Sequence, residues 1–161
     1  MKYLKLKIED AVNATKAAIS EGIVAGGGSA FVKVAQTLTE KFKNRKISPD
    51  NIVEVEFWAG YIAVAEALTE PLRQIAQNAG KEDGVILDRV VNGGPNSGYD
   101  ALTDTFPEDM FKVGIIDPVK VTRAALENAA SAVAILLTTE VAIADEPEKN
   151  KPAPHNHEMD Y

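Results

Sequence analysis

The sequence predicts a mainly α-helical fold, a bundle of about six helices with a small β-hairpin and a terminal edge strand. Three observations predict it. Apolar residues recur at helical spacing through most of the chain, Gly and Pro punctuate those stretches, and only short segments read as strand. With 161 residues the chain suits one domain, large enough to bury roughly two-thirds of its unfolded surface.

Taken in order, Lys2 to Glu21 places Leu4, Ile8, Ala11, Val12, Thr15, Ala18 and Ile19 at helical spacing, and Gly22 supplies the stop. Ile23-Val24-Ala25 reads as a loop leading into Gly26-Gly27-Gly28. Ser29 is the expected N-cap of a second helix with the stripe Phe31, Val34, Ala35, Leu38 and Phe42. A polar connector follows, and Ser48-Pro49 reads as N-cap and first-turn Pro of a third helix carrying Val53, Phe57, Tyr61, Val64 and Leu68. Thr69 and Pro71 restart the helix at a new angle, with Leu72, Ile75, Ala76 and Ala79 periodic and Gly80 just past the end. A short helix over Asp83–Val91 precedes the breaker Asn92-Gly93-Gly94-Pro95-Asn96.

Short strands are expected near residues 99–102 and 113–116. Asp117-Pro118 then reads as N-cap and first-turn Pro of the longest helix, from 119 to about 139. Its many alanines permit close helix–helix approach, so it is expected to run through the middle of the core as the most buried element. Residues 141–144 read as an edge strand with no obvious partner in this chain. Residues 1–145 form the expected domain. Residues 146–161, with Pro147, Pro152 and Pro154 among alternating charges, read as a disordered tail.

Composition excludes several chemistries. There is no Cys, which removes thiol catalysis, iron–sulfur clusters and cysteine zinc sites. Both histidines, His155 and His157, lie in the tail, so the globular part can build neither a His general base nor a His metal site. The net charge of −7 argues against nonspecific nucleic-acid binding. No apolar run approaches the ~20 residues a membrane helix needs, and no signal peptide is expected. A reducing, cytoplasm-like compartment is the expected location. Chemistry in the domain is left to carboxylates, hydroxyls, Lys, Arg and backbone.

Gly26-Gly27-Gly28-Ser29 lies between two helices and carries two readings. Glycines at a helix N-terminus let a ligand approach exposed N–H groups, and equally they let a loop reverse direction. The segment is neither a Walker A loop nor a dinucleotide fingerprint. Asp10 directly precedes the apolar Ala11-Val12 pair, a less comfortable setting than that of Glu9. Asp117 reads as a helix cap, and Trp58 with Tyr61 reads as packing more readily than as a stacking platform.

Several strings go further. Ile8-Glu-Asp-Ala11, Glu21-Gly-Ile-Val-Ala-Gly-Gly-Gly28 and Glu70-Pro-Leu-Arg-Gln-Ile-Ala-Gln-Asn-Ala-Gly80 occur in one order with Gly98-Tyr-Asp-Ala101, Gly114-Ile-Ile-Asp-Pro-Val-Lys-Val-Thr-Arg123, and Asn128-Ala-Ala-Ser131 followed by Leu136-Leu-Thr-Thr-Glu140. Together they resemble the C-terminal half of the equatorial domain of bacterial-type (group I, GroEL-type) chaperonins, over roughly residues 1–147.

The resemblance implies a part of an ATP-dependent protein-folding machine. It implies that Asp10 orients the water attacking the γ-phosphate, a positioning role for a carboxylate. Gly27 would lie against the nucleotide, Asp117 would bond the ribose hydroxyls, Ile115 would lie beside adenine, and Asp100, Ala101 and Leu102 would contact the base. ATP with Mg is the implied cofactor, although nothing here resembles the family's phosphate loop or its metal-binding Asp. The implied partners are identical subunits, a co-chaperonin and unfolded polypeptides, in the cytoplasm or an organellar matrix, with no nucleic acid and no membrane.

The sequence departs from the family at two places. Asp100 stands where the family has Asn, an acceptor-only group where the amide both donates and accepts, and the tail lacks Gly-Gly-Met repeats. Alone, these residues are expected to be nearly inactive and to form a non-native homo-oligomer through uncovered apolar faces. The alternative is a nucleotide-independent helical module that self-associates.

Overall fold

The computed structural model describes residues 2–46, 48 and 50–145. Lys2–Glu21 form α1, and Gly22, in the left-handed region at φ 87°, turns the chain into the short strand β1, Ile23–Ala25. The glycine loop leads into α2, Ser29–Lys43. Then come α3, Ile52–Ala67, α4, Glu70–Asn78, and α5, Asp83–Val91. A long irregular stretch returns to β2, Ile116–Pro118, and α6 runs Val119–Thr138. The chain divides into one unit through Leu126 and a second from Glu127 onward. In the second, α6 continues to Thr138 and the described residues after it carry no regular structure. No helix among the described residues is long and apolar enough to cross a membrane.

The core of the first unit is built by α2, α4 and α5. Val32, Leu72, Ala76, Ile86, Val90 and Tyr99 are buried together, with Leu87, Val91 and Phe106 packed against them. Each helix contributes the apolar positions its 3.6-residue period puts on one face. Truncating Leu72, which is fully buried, to Ala would cost about 2–5 kcal/mol through lost burial and the cavity left behind. Outside this core, α3 packs on α2 through an aromatic group: Trp58 lies 5.9 Å from Phe42 and 4.9 Å from Tyr61, with the Arg45 guanidinium 5.0 Å above the indole. Trp58 and Tyr61 are half-buried packing residues.

The expected small antiparallel pair is present, but its strands come from elsewhere in the sequence. β1 pairs with β2 in the register Ile23↔Pro118, Val24↔Asp117 and Ala25↔Ile116. Residues 23–25 therefore form a strand where a loop was expected. The strand expected at 113–116 begins at Ile116, and the one expected at 99–102 reduces to an isolated bridge between Asp100 and Thr105. No local turn marks a ladder between segments this far apart, so period alone could not place it.

Three helix starts also differ. Gly28, not Ser29, is the N-cap of α2, at φ 78°. Asn51 caps α3, accepting the Glu54 N–H at 3.3 Å; Pro49 of the expected cap lies outside the described residues. Asp117 and Pro118 lie in the ladder ahead of α6. The expectation that α6 is the most buried element is overturned, for none of its residues is buried. Alanine permits close approach but supplies no partner, and Leu136 and Leu137 are 70% and 82% exposed. Residues 141–144 form no strand, consistent with the lack of a pairing partner. The tail at 146–161, with its two histidines, lies outside the described residues.

Candidate functional site

The glycine loop is shaped by two different demands. A Cβ on Gly26 would come 2.9 Å from the Ile116 nitrogen and 3.0 Å from the Ile115 carbonyl carbon, so backbone packs on backbone and no side chain fits. A Cβ on Gly28 would meet the Leu72 nitrogen at 2.8 Å, again against backbone. Gly27, between them, is not sterically filled. Its Cβ position lies in ordinary contact with Met110 Cε and Tyr99 O at 3.6 Å and Ile115 Cγ2 at 3.8 Å. What holds Gly27 to glycine is its φ of 63°.

The ladder then brings the second wall to this loop. Gly26 N–H donates to the Ile115 carbonyl at 3.0 Å, and the Gly27 N–H faces the Asp117 carboxylate closely enough to favour its charge. Burial pushes the Asp117 carboxyl above its ordinary value, and the Gly27 hydrogen bond pulls the other way. Gly27, Ile115 and Asp117, far apart in sequence, are thus gathered in one place, with the Tyr99 backbone beside them.

Asp100 opens the next segment and uses its carboxylate on its own turn. It accepts the Leu102 N–H at 2.9 Å, the Thr103 N–H at 3.4 Å and the Thr103 hydroxyl at 2.7 Å. These bonds, the Thr103 hydroxyl foremost, hold its pKa below the ordinary value. The loop presents Ala101 and Leu102 outward, Leu102 being 94% exposed. Asp10 is exposed on α1 and is not among the atoms nearest Gly27. By helical rise it stands about 16 Å along the axis from Glu21, where the chain turns toward β1.

Three further residues shape this region and were not singled out from sequence. Met110 is fully buried beneath Gly27 and Gly98. Lys81 and Asp104 make an ion pair beside Tyr99, whose hydroxyl donates to Asp104 at 3.0 Å. The sequence signal available was weak: an Asp four residues after another, in a Thr-rich turn. A separate open depression of 780 Å³, lined by Asp88, Arg89, Gly93, Ser97, Phe106 and Glu108 among others, holds none of the predicted site residues. Its acids and its Arg89, which stacks on Phe106 at 4.0 Å, select no ligand charge.

Comparison with known proteins fits this geometry. The chain is similar to the open-state monomer of a group II chaperonin from Methanococcoides burtonii, with a TM-score of 0.62 and 26% identity. That similarity covers 73% of this chain and 28% of the other, so the chain spans well under half of that chaperonin. Residues 1–147 match the TCP-1/cpn60 chaperonin family, and the chain belongs to that family.

Proposed function

We propose that this chain supplies the nucleoside wall of a chaperonin equatorial ATP site, of the bacterial group I type whose sequence strings it carries. The observation that carries the reading is the convergence of Gly27, Ile115 and Asp117 through the β1–β2 ladder. An ionised Asp117 accepts the two ribose hydroxyls, Gly27 brings its backbone against the sugar, and Ile115 offers adenine an apolar surface. Ala101 and Leu102 contribute the far side of the base pocket. Asp10 is the carboxylate that orients the attacking water once the phosphates are held.

The magnesium ion of such a site has no ligand set among the described residues. Asp100 is committed to its turn, Asp117 is held by Gly27, and no group of three His, Cys, Asp or Glu among the described residues is arranged to bind a metal. No step is therefore assigned to the metal by this chain. Phosphate and metal contacts belong to parts of a chaperonin outside these residues, so binding by the chain alone is on the order of millimolar and hydrolysis is negligible.

Titration with Mg-ATP, followed by calorimetry and by the amide resonances of Gly27 and Ile115, tests this. Shifts confined to those residues in wild type, and absent in Gly27→Trp, support the wall. Identical responses in both proteins overturn it. A second reading, self-association without nucleotide, is favoured by the apolar residues α3 leaves exposed: Ile52, Val53 and Phe57 are 63–75% exposed. Silence toward ATP together with a mass that rises with concentration would decide for it.

A further inference from the structure

Asp104 is the one non-glycine residue with positive φ among the described residues, at 55°. Asp tolerates that region better than most residues, yet it is still uncommon there. Both of its carboxylate oxygens are engaged. Lys81 Nζ lies 2.5 Å from Oδ2, and the Tyr99 hydroxyl donates to Oδ1 at 3.0 Å. Both partners are anchored elsewhere. Tyr99 is buried in the core and stacks on Phe106 at 5.2 Å. Lys81 follows Gly80 at the end of α4, where its N–H closes the helix on the Ala76 carbonyl at 2.9 Å.

Between these anchors runs the loop that offers Ala101 and Leu102. It closes on itself through paired backbone bonds of Asp100 and Thr105, at 2.9 and 3.3 Å. Because the Asp100 carboxylate is spent on the turn, a base meets this loop through backbone and apolar side chains, and recognition depends on where the loop stands. We propose that the Lys81–Asp104–Tyr99 clamp holds the 100–105 loop in the position from which it selects the base, making Lys81 and Asp104 positioning residues for the nucleoside wall. This rests on the nucleotide reading above.

The clamp's effect is local. Lys81 and Asp104 are about half-exposed, and an ion pair in that setting adds little to global stability. Lys81 and Tyr99 both keep the Asp104 carboxyl ionised below its ordinary range, so the clamp is closed at neutral pH.

The test uses Asp104→Asn, which keeps tolerance of positive φ without the charge, Asp104→Gly, Lys81→Met and the rescue variant Lys81→Arg. Amide hydrogen exchange in the free chain reads the loop. At Leu102 and Thr105 it is expected to quicken about tenfold in Lys81→Met and Asp104→Gly, with Val32 and Ala76 unchanged. ADP and ribose 5-phosphate then read the base. Lys81→Met and Asp104→Asn should weaken ADP about tenfold, leave ribose 5-phosphate unchanged, and Lys81→Arg should restore ADP.

Equal loss of both ligands, or unaltered ADP binding in every variant, overturns the clamp's role. If wild type binds no ADP, the nucleotide reading falls and the base-selecting role with it, while loop exchange still decides whether the clamp holds the loop.

Discussion

Ser29 carries its hydroxyl fully buried beside Gly98 and Met110, with no hydrogen-bond partner. An unpartnered buried hydroxyl costs about 1–3 kcal/mol, so Ser29→Ala is expected to raise the urea midpoint rather than lower it. Two residues upstream the sign reverses. Gly27→Ala strains a positive φ and should cost about 1–2 kcal/mol. Gly28→Ala adds a clash with the Leu72 backbone and should lose more, in the same urea series. Asp117 shows a third pattern. Its pKa is raised on folding, so the folded state binds the proton more tightly than the unfolded one. Stability therefore falls as pH rises through the carboxylate range and is lowest, on this account, at neutral pH. Asp117→Asn should stabilise the free chain at pH 7 and flatten that dependence while abolishing ribose binding.

At the scale of elements, α5 ends on a neighbour's side chain. Lys33 of α2 places its ammonium on the carbonyls of Val90 at 2.7 Å, Gly93 at 3.0 Å and Val91 at 3.3 Å. Burial there pulls the Lys33 pKa down, yet the three acceptors keep the charge in place. Lys33→Met should cost about 1–2 kcal/mol, seen as a lower midpoint and faster exchange over the last turn of α5. Two helix ends were legible because their stop has a local cause: Gly22 after α1 and Gly80 after α4 take left-handed conformations where the period ends. Membership of the chaperonin family was legible through the strings, since motifs survive without geometry. What stayed hidden were relations between distant segments. Nothing near Val24 announces Asp117 as its partner, nothing near Lys81 announces Asp104, and the alanines of α6 describe a surface without saying what covers it.

For the molecule as a whole, two properties follow from what is exposed. The apolar residues along α1 and α3, among them Leu4, Ile8, Val53 and Phe57, leave faces that a second chain can cover. Light scattering should give a mass above the 17.3 kDa of one chain at high micromolar concentration, lowered by the pair Val53→Glu and Phe57→Glu. A monomer at every concentration would refute this. Acid acts on a different set. Glu21 is held below its ordinary pKa by Arg123, Asp83 by Arg73 and Asp104 by Lys81. Their contribution is present above the unfolded values, near 4, and is lost as pH falls below them. Circular dichroism should therefore show the thermal midpoint falling slightly below about pH 4, with a smaller fall in Arg73→Met.

The ladder between β1 and β2 joins segments separated by all of α2 to α5. Contacts among α2, α4 and α5 span shorter stretches and close smaller loops, whereas Ala25 and Ile116 pair against a larger entropy of closure and are expected to do so later. The ladder that gathers Gly27, Ile115 and Asp117 is thus expected to form late in folding. Weakening the ladder with Val24→Gly should speed unfolding and leave the refolding rate, followed through Trp58 fluorescence, nearly unchanged. A chain still being synthesised would hold the core of α2, α4 and α5 before Gly27, Ile115 and Asp117 came together, which waits until residue 118 has left the ribosome.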